Sequence, residues 1–265
     1  MKKLSKLIPQ INQLVQEFRP ISLSEMDEVA FLNRTDTKFL MPTYRLPELL
    51  KLAQADYQVL EIDSMRDFSY KTIYFDTDDF SLFKIHQTGK MNRYKIRHRT
   101  YEATGIAFLE IKFKSNKNRT LKWRINNYLH NGELNEQGRG FLEDKLNLNS
   151  VELNPVLENH FNRITLVSNE YKERITLDFN LSFSNDAGIE RHLPYLGIVE
   201  LKRDGFSNQS PFISLLRQFQ IREGGVSKYC VGTALIYDLP NYNALKPKFL
   251  KLNKLKNEYD VFTVA

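Results

Sequence analysis

Residues 93–114 read RYKIRHRTYEATGIAFLEIKFK, two stretches rich in β-branched and aromatic side chains on either side of Thr104-Gly105. That composition, broken by a turn signal, predicts two antiparallel strands. Side chains two apart in a strand share a face. The first strand therefore places Arg93, Lys95, Arg97 and Arg99 together. The second places Glu110, Lys112 and Lys114 on one side and Leu109, Ile111 and Phe113 on the other.

Moving outward, residues 70–76, 121–128, 171–183 and 196–203 have the same character. Lys122 and Arg124 share a face. Along 174–182, Arg174, Thr176, Asp178, Asn180 and Ser182 oppose Ile175, Leu177, Phe179, Leu181 and Phe183. Glu200 and Lys202 repeat the Glu-x-Lys spacing of Glu110 and Lys112. A solvated sheet face mixes its signs, because like charges on neighbouring strands repel. Here at least five strands carry Lys or Arg on the polar face, against Glu110, Asp178 and Glu200. If the polar face turns inward, the cations crowd one another. Two like charges about 4 Å apart repel by roughly 4 kcal/mol at an effective dielectric of about 20. A linear polyanion relieves that repulsion and accepts charge-assisted hydrogen bonds. The predicted ligand is a chain of phosphates.

Helical spacing of apolar residues predicts helices over Leu4–Phe18, after Ser24, around Leu46–Ala53 with Pro47 in the first turn, and near 139–146, 155–163 and 211–220. The whole reads as one α+β domain dominated by an antiparallel sheet with flanking helices. The charged stretch Lys246–Asp260 reads as a solvated terminal helix or a loose end.

The 265 residues are 42% hydrophobic and 26% charged, which suits a globular chain and excludes a disordered or collagen-like one. The formal charge of +6 informs only through where the cations gather. A single cysteine, Cys230, excludes an internal disulfide framework and a Cys-rich zinc site, and fits the cytoplasm. Gln10, Asn12 and Gln13 interrupt any signal-peptide core, and no run of about 18 apolar residues occurs, so membrane contact calls for a partner or the basic N-terminal segment. Glycine-rich phosphate loops are missing, which leaves phosphate binding to side chains. His86, His98, His130, His160 and His192 are scattered, and Cys230 reads as packed. Tyr94, Tyr101 and Trp123 alternate in phase with the charges, so they read as packing residues and nucleic acid is not an expected partner.

Nine pieces in order resemble the VTC domain, the polyphosphate polymerase branch of the triphosphate tunnel (CYTH-like) superfamily: RTDTKF (34–39), YFDT (74–77), KIRHRTY (95–101), FLEIKFK (108–114), KWR (122–124), FNR (161–163), RITLDFNLSF (174–183), IVELK (198–202) and SKYC (227–230). The resemblance implies an eight-stranded antiparallel barrel with a basic tunnel over residues 30–240, preceded by a helical segment (1–29) and followed by a charged tail (241–265). It implies ATP and inorganic polyphosphate as ligands, with Mg²⁺ or Mn²⁺. Carried over residue by residue, it makes Arg97, Arg99, Lys112, Arg174 and Lys228 the residues that grip the reacting phosphates. Lys38, Lys122, Arg124, Arg163, Lys202 and Ser227 become chain-binding residues, and Glu200, helped by Glu110, the metal ligand. Two departures stand out. Triphosphatases of the superfamily open with Glu-x-Glu-x-Lys, whereas this chain has Arg34-x-Asp36-x-Lys38, and Phe161 stands where polymerases resemble Tyr-x-Arg. The first favours a polymerase over a metal-dependent triphosphatase; a non-catalytic polyanion-binding module is the third alternative.

Overall fold

A computed structural model describes residues 4–28, 34–117, 119–130, 132–146, 152–168, 170–204, 210–239 and 243–264. Asn118 and the side chain of Arg34 lie outside the described residues. Eight strands form the main sheet: β2 (Arg34–Pro42), β4 (Phe68–Asp76), β5 (Arg93–Tyr101), β6 (Ala107–Lys114), β7 (Thr120–Asn126), β8 (Asn154–Ser168), β9 (Glu173–Ser184) and β11 (Leu196–Asp204). Their order is β2-β11-β9-β8-β4-β5-β6-β7, and every neighbouring pair is antiparallel. Short β1 (Pro20–Ile21), β3 (Gln58–Leu60) and β10 (Glu190–Leu193) attach at the margins.

The eight strands of the implied barrel are present, but no strand pairing joins β2 to β7 among the described residues, so the sheet is open at that seam. The free edge of β2 bonds elsewhere: Phe39 bridges to Glu223, and the Gly224 N–H donates to the Lys38 carbonyl over 2.8 Å. Backbone groups satisfied there are unavailable to β7.

Period-two patterning decides which face is which. Ile164, Leu166, Ile175, Leu177, Val199 and Leu201 are buried outside the sheet with residues of α1 (Leu4–Gln16), α3 (Leu46–Ala53) and α6 (Pro211–Gln218). On the other flank, Ile96, Leu109 and Ile111 pack with Leu82 of α4 (Ser81–Gln87) and Leu142 of α5 (Glu136–Lys145). Apolar side chains thus face the helices, and the polar set of the same strands turns inward. Fully buried apolar side chains of this size contribute about 1.5–3 kcal/mol each, which fixes the register.

Three expectations are corrected here. Residues 155–163, read as helical, belong to β8, the longest strand at 15 residues. A bulge where Tyr74 and Phe75 pair with Leu157 and Pro155 breaks the alternation that marks a strand. The apparently unbroken alternation of 174–183 changes face midway. Asn180 adopts a left-handed conformation (φ 54°) at a register shift between β8 and β9. Before it, Ile175, Leu177 and Phe179 face the outer helices; after it, Leu181 and Phe183 face inward, and Asn180 itself is exposed. Asn180 and Ser182 therefore do not share the inner face of Asp178. Finally, Lys246–Asp260 lies within a helix, α8 (Lys246–Val264), whose Leu252, Leu255 and Tyr259 are buried in the core.

One end of the interior is filled. Helix α7 (Lys228–Ile236) buries Tyr229, Cys230, Val231, Gly232, Thr233 and Ile236, and a Cβ on Gly232 would come within 2.4 Å of the Phe183 ring. Only glycine permits that approach.

Candidate functional site

Beyond the N-terminus of α7 the interior opens into a cavity of about 640 Å³. Ten of the described Lys and Arg side chains line it (38, 95, 97, 99, 112, 122, 124, 163, 202 and 228), against four carboxylates, Asp36, Glu110, Asp178 and Glu200. Removing these from the totals of 38 basic and 32 acidic residues leaves 28 of each sign. The entire formal excess of +6 belongs to the lining of one cavity.

Strand register sets the cations in rows. Lys95, Lys112 and Lys122 are direct partners across β5, β6 and β7, and Arg97, Glu110 and Arg124 form the next row. On the opposite wall Lys38 pairs with Glu200, and Asp36 with Lys202. Directly paired residues stand about 4.5–5.5 Å apart, so the three lysines repel one another. None of the three makes an ion pair among the described residues. Burial, together with Arg97 and Lys112, pushes the Lys95 ammonium down to about 7. Burial and Lys122 lower Lys112 as well.

Three carboxylates hold six of the seven remaining cations in place, and Arg124 lies over the Phe108 ring. Arg163 grips Asp178 through both oxygens at 2.6 and 2.8 Å, and Lys228 Nζ reaches the same carboxylate at 2.5 Å. Burial opposes the charge of Asp178, but Arg163 and Lys228 outweigh it and hold the carboxyl well below its ordinary range. Burial dominates for Lys228, which falls to about 7. Glu110 accepts from Arg97 Nε at 2.6 Å, with Arg99 Nε at 4.0 Å. The Arg99 Nε is buried with no hydrogen-bond partner, and burial with the neighbouring Arg97 brings its guanidinium down to about 10. Glu200 binds Lys38 through one oxygen and Lys202 through the other at 3.0 Å; against its burial, these two cations hold it well below its ordinary range. Aromatic faces add support: Lys228 Nζ sits 3.2 Å from the centre of the Phe161 ring, which stacks on Tyr70. The Phe161 departure thus supplies a cation–π contact where a hydroxyl was expected.

Of the thirteen candidate residues, twelve line the cavity; Arg174 does not. It pairs with Lys202 across β9 and β11, in the same row as Asp36, and is half-buried. Ser227 lines the cavity while its hydroxyl accepts from the Cys230 N–H at 3.4 Å, capping α7 and aiming that helix N-terminus at the cavity. Helix N-termini favour anions. Sequence reasoning passed over Lys95, Asp36 and Tyr74 as site residues. Lys95 shares the phase of Arg97 and Arg99 and was available by that signal; nothing in the sequence marks Tyr74. No imidazole or thiol lines the cavity: His98 bonds the Asn127 carbonyl, His160 bonds Glu158, and Cys230 is buried in the core.

A donor set of carboxylates alone suits a hard cation such as Mg²⁺ or Mn²⁺, which takes one or two carboxylates and completes its shell with phosphate oxygens and water. Glu200 and Glu110 meet that requirement because both stay ionised. Among the described residues no group of three or more His, Cys, Asp or Glu could hold a metal by itself. None of the described helices is long and apolar enough to cross a membrane.

No curated protein matches the sequence. Among solved structures, an adenylate cyclase candidate from Vibrio parahaemolyticus aligns with a TM-score of 0.45 and 14% identity, covering 76% of this chain and 99% of that one. An adenylyl cyclase candidate from Hippeastrum, described as having a dominant triphosphatase activity, aligns at 0.43 and 15%, covering 77% and 97%. These likenesses are distant. The VTC domain matches residues 33–237, the span that contains every cation of the cavity. The chain belongs to the VTC domain family.

Proposed function

We propose that this protein is a polyphosphate polymerase that transfers the terminal phosphate of ATP to a growing polyphosphate chain inside its basic cavity. One observation carries the reading: ten cations, holding the whole charge excess of the chain, converge on one cavity. Only a ligand with closely spaced negative charges neutralises so many without large bulk.

Phosphoryl transfer needs positioning and charge neutralisation more than covalent help. Arg97, Arg99, Lys112 and Lys228, with Lys95 beside them, grip the β- and γ-phosphates. An oxygen of the chain's terminal phosphate attacks the γ-phosphorus as the bond to the β-phosphate oxygen breaks, and ADP leaves. That oxygen is already ionised, so no strong general base is required. Lys38, Lys122, Arg124, Arg163, Lys202 and Ser227 guide the chain, with Arg174 at the far end of the Asp36–Lys202 row. A divalent cation held by Glu200, helped by Glu110, supplies charge neutralisation on the phosphate oxygens when bound.

Glu110, Asp178 and Glu200 act as resident counter-ions. Each holds cations that the substrate later claims, which lowers the electrostatic cost of the empty cavity.

The test is a primed reaction with ATP and Mn²⁺, in which nucleotide and polymer length are read together. Long polymer with stoichiometric ADP is expected. Phosphate release without polymer would instead make the protein a triphosphatase, and polyphosphate binding without ATP consumption would make it a binding module. Arg97→Ala and Glu200→Gln are expected to abolish synthesis, and Arg174→Glu, outside the cavity, to reduce it, while circular dichroism stays unchanged. Full activity of any one of them removes that residue from the proposed role.

A further inference from the structure

Across the β2 edge from the cavity lies a second, larger concavity of about 1330 Å³. The end of β2, the segment after α6 and helix α8 form its walls. Five cations line it (Arg45, Arg217, Arg222, Lys251 and Lys254), with Glu223 and Glu258 as its only described carboxylates. None of the five makes an ion pair among the described residues. Arg45 is held by stacking instead, its guanidinium 5.5 Å from the Tyr44 ring centre and 5.6 Å from that of Phe219. A guanidinium fixed between two rings keeps its N–H edge available to an anion. Outside the tunnel the chain has 28 residues of each sign, so a groove with five against two is a local exception.

The partition between groove and tunnel is thin. Gly224, bonded to the β2 edge, and Gly225 form it. A Cβ on Gly225 would lie 2.9 Å from the Lys38 side chain, and one on Gly224 would lie 2.9 Å from Lys251 Nζ. Lys38 lines the tunnel and Lys251 the groove, with only glycine backbone between. Lys38 and Lys251 thus flank two consecutive residues of the chain.

We propose that this groove is a second polyanion site, which holds the part of an oligophosphate chain that extends beyond the tunnel, the chain crossing over Gly224–Gly225. The inference rests on the tunnel binding polyphosphate, not on catalysis, so equilibrium binding tests it separately from turnover.

The experiment compares long-chain polyphosphate with tripolyphosphate, which is short enough for the tunnel alone, on four proteins: wild type, the groove variant Arg45→Gln/Arg217→Gln/Lys254→Gln, the control Lys6→Gln/Lys51→Gln/Lys172→Gln on the remote exposed surface, and the tunnel variant Arg97→Ala. The groove variant is expected to lose about tenfold in affinity for the long chain, with a shallower salt dependence, as removal of phosphate contacts requires. Its tripolyphosphate affinity stays at the wild-type value, and the control changes neither. Equal loss for both ligands, equal loss in the control, or wild-type long-chain binding by the groove variant would each overturn the proposal. If Arg97→Ala leaves tripolyphosphate binding untouched, the tunnel reading fails instead. A single-stranded oligoribonucleotide that displaces the long chain from Arg97→Ala but not from the groove variant would reassign the groove to nucleic acid.

Discussion

Asp178 shows how much one side chain settles in this site. Its carboxylate neutralises Arg163 and Lys228 at once in a nearly enclosed position. Asp178→Asn leaves both cations without a counter-ion, and breaking a buried pair from one side costs about 3–5 kcal/mol. The expected result is a lowered melting temperature for the free protein, with a larger upward shift on adding tripolyphosphate than wild type shows; differential scanning fluorimetry reads both. Lys95 and Lys228, each brought down to about 7, set the pH behaviour. An unfolded lysine keeps its proton to about 10.4. Between about 7 and that value the unfolded chain binds more protons than the folded one, so stability rises with pH across this window and is flat just below it. Lys95→Met is expected to flatten the rise. Binding works in the opposite direction, because phosphates favour the charged lysines. At pH 8 tripolyphosphate should take up about one to two protons, visible as a dependence of calorimetric enthalpy on buffer ionisation heat, and affinity should weaken as pH climbs past 7. No uptake would mean that both ammonium groups are already charged in the free protein.

Among the elements, α7 does two jobs with one sequence. Its apolar residues stop one end of the interior while its first residue, Lys228, lines the basic cavity. Gly232 lets it sit against Phe183 and Leu157, where a Cβ would fall at 2.4 and 2.7 Å. Gly232→Ala is expected to cost about 1–3 kcal/mol through overpacking, measured by urea denaturation, and to raise the KM for ATP by shifting Lys228. Strands β5 and β6 have the limits read from their residues alone, since Arg93–Tyr101 and Ala107–Lys114 carry an uninterrupted period of two. Where a bulge intervened, the period misled. In β8 it suggested a helix, and in β9 Asn180 turned Leu181 and Phe183 to the opposite side without disturbing the pattern of letters. Sequence alternation reports which residues differ, not which face they reach after an extra residue. The basic rows were legible because each cation sits two positions from the next. Tyr74 and the apolar stopper were not, because the packing of distant segments defines them.

For the whole molecule, charge separates by location. The tunnel lining is ten to four basic, the groove five to two, and what remains is 23 basic against 26 acidic residues. Tripolyphosphate binding should weaken with added salt, since part of the lining is open to solvent and therefore screened. Titration at several ionic strengths checks this, and an affinity indifferent to salt would mean that the lysine rows do not contribute.

The open seam between β2 and β7 changes the way a long guest can be admitted. A closed ring accepts a thread only by its tip, whereas a slotted one can be slipped over the middle of a strand already many units long. Because one margin of the seam carries Lys38, where the Glu223–Gly224 segment bonds the β2 edge, and the other carries Lys122 and Arg124, sideways loading along the unpaired part of the seam would be electrically guided from first touch.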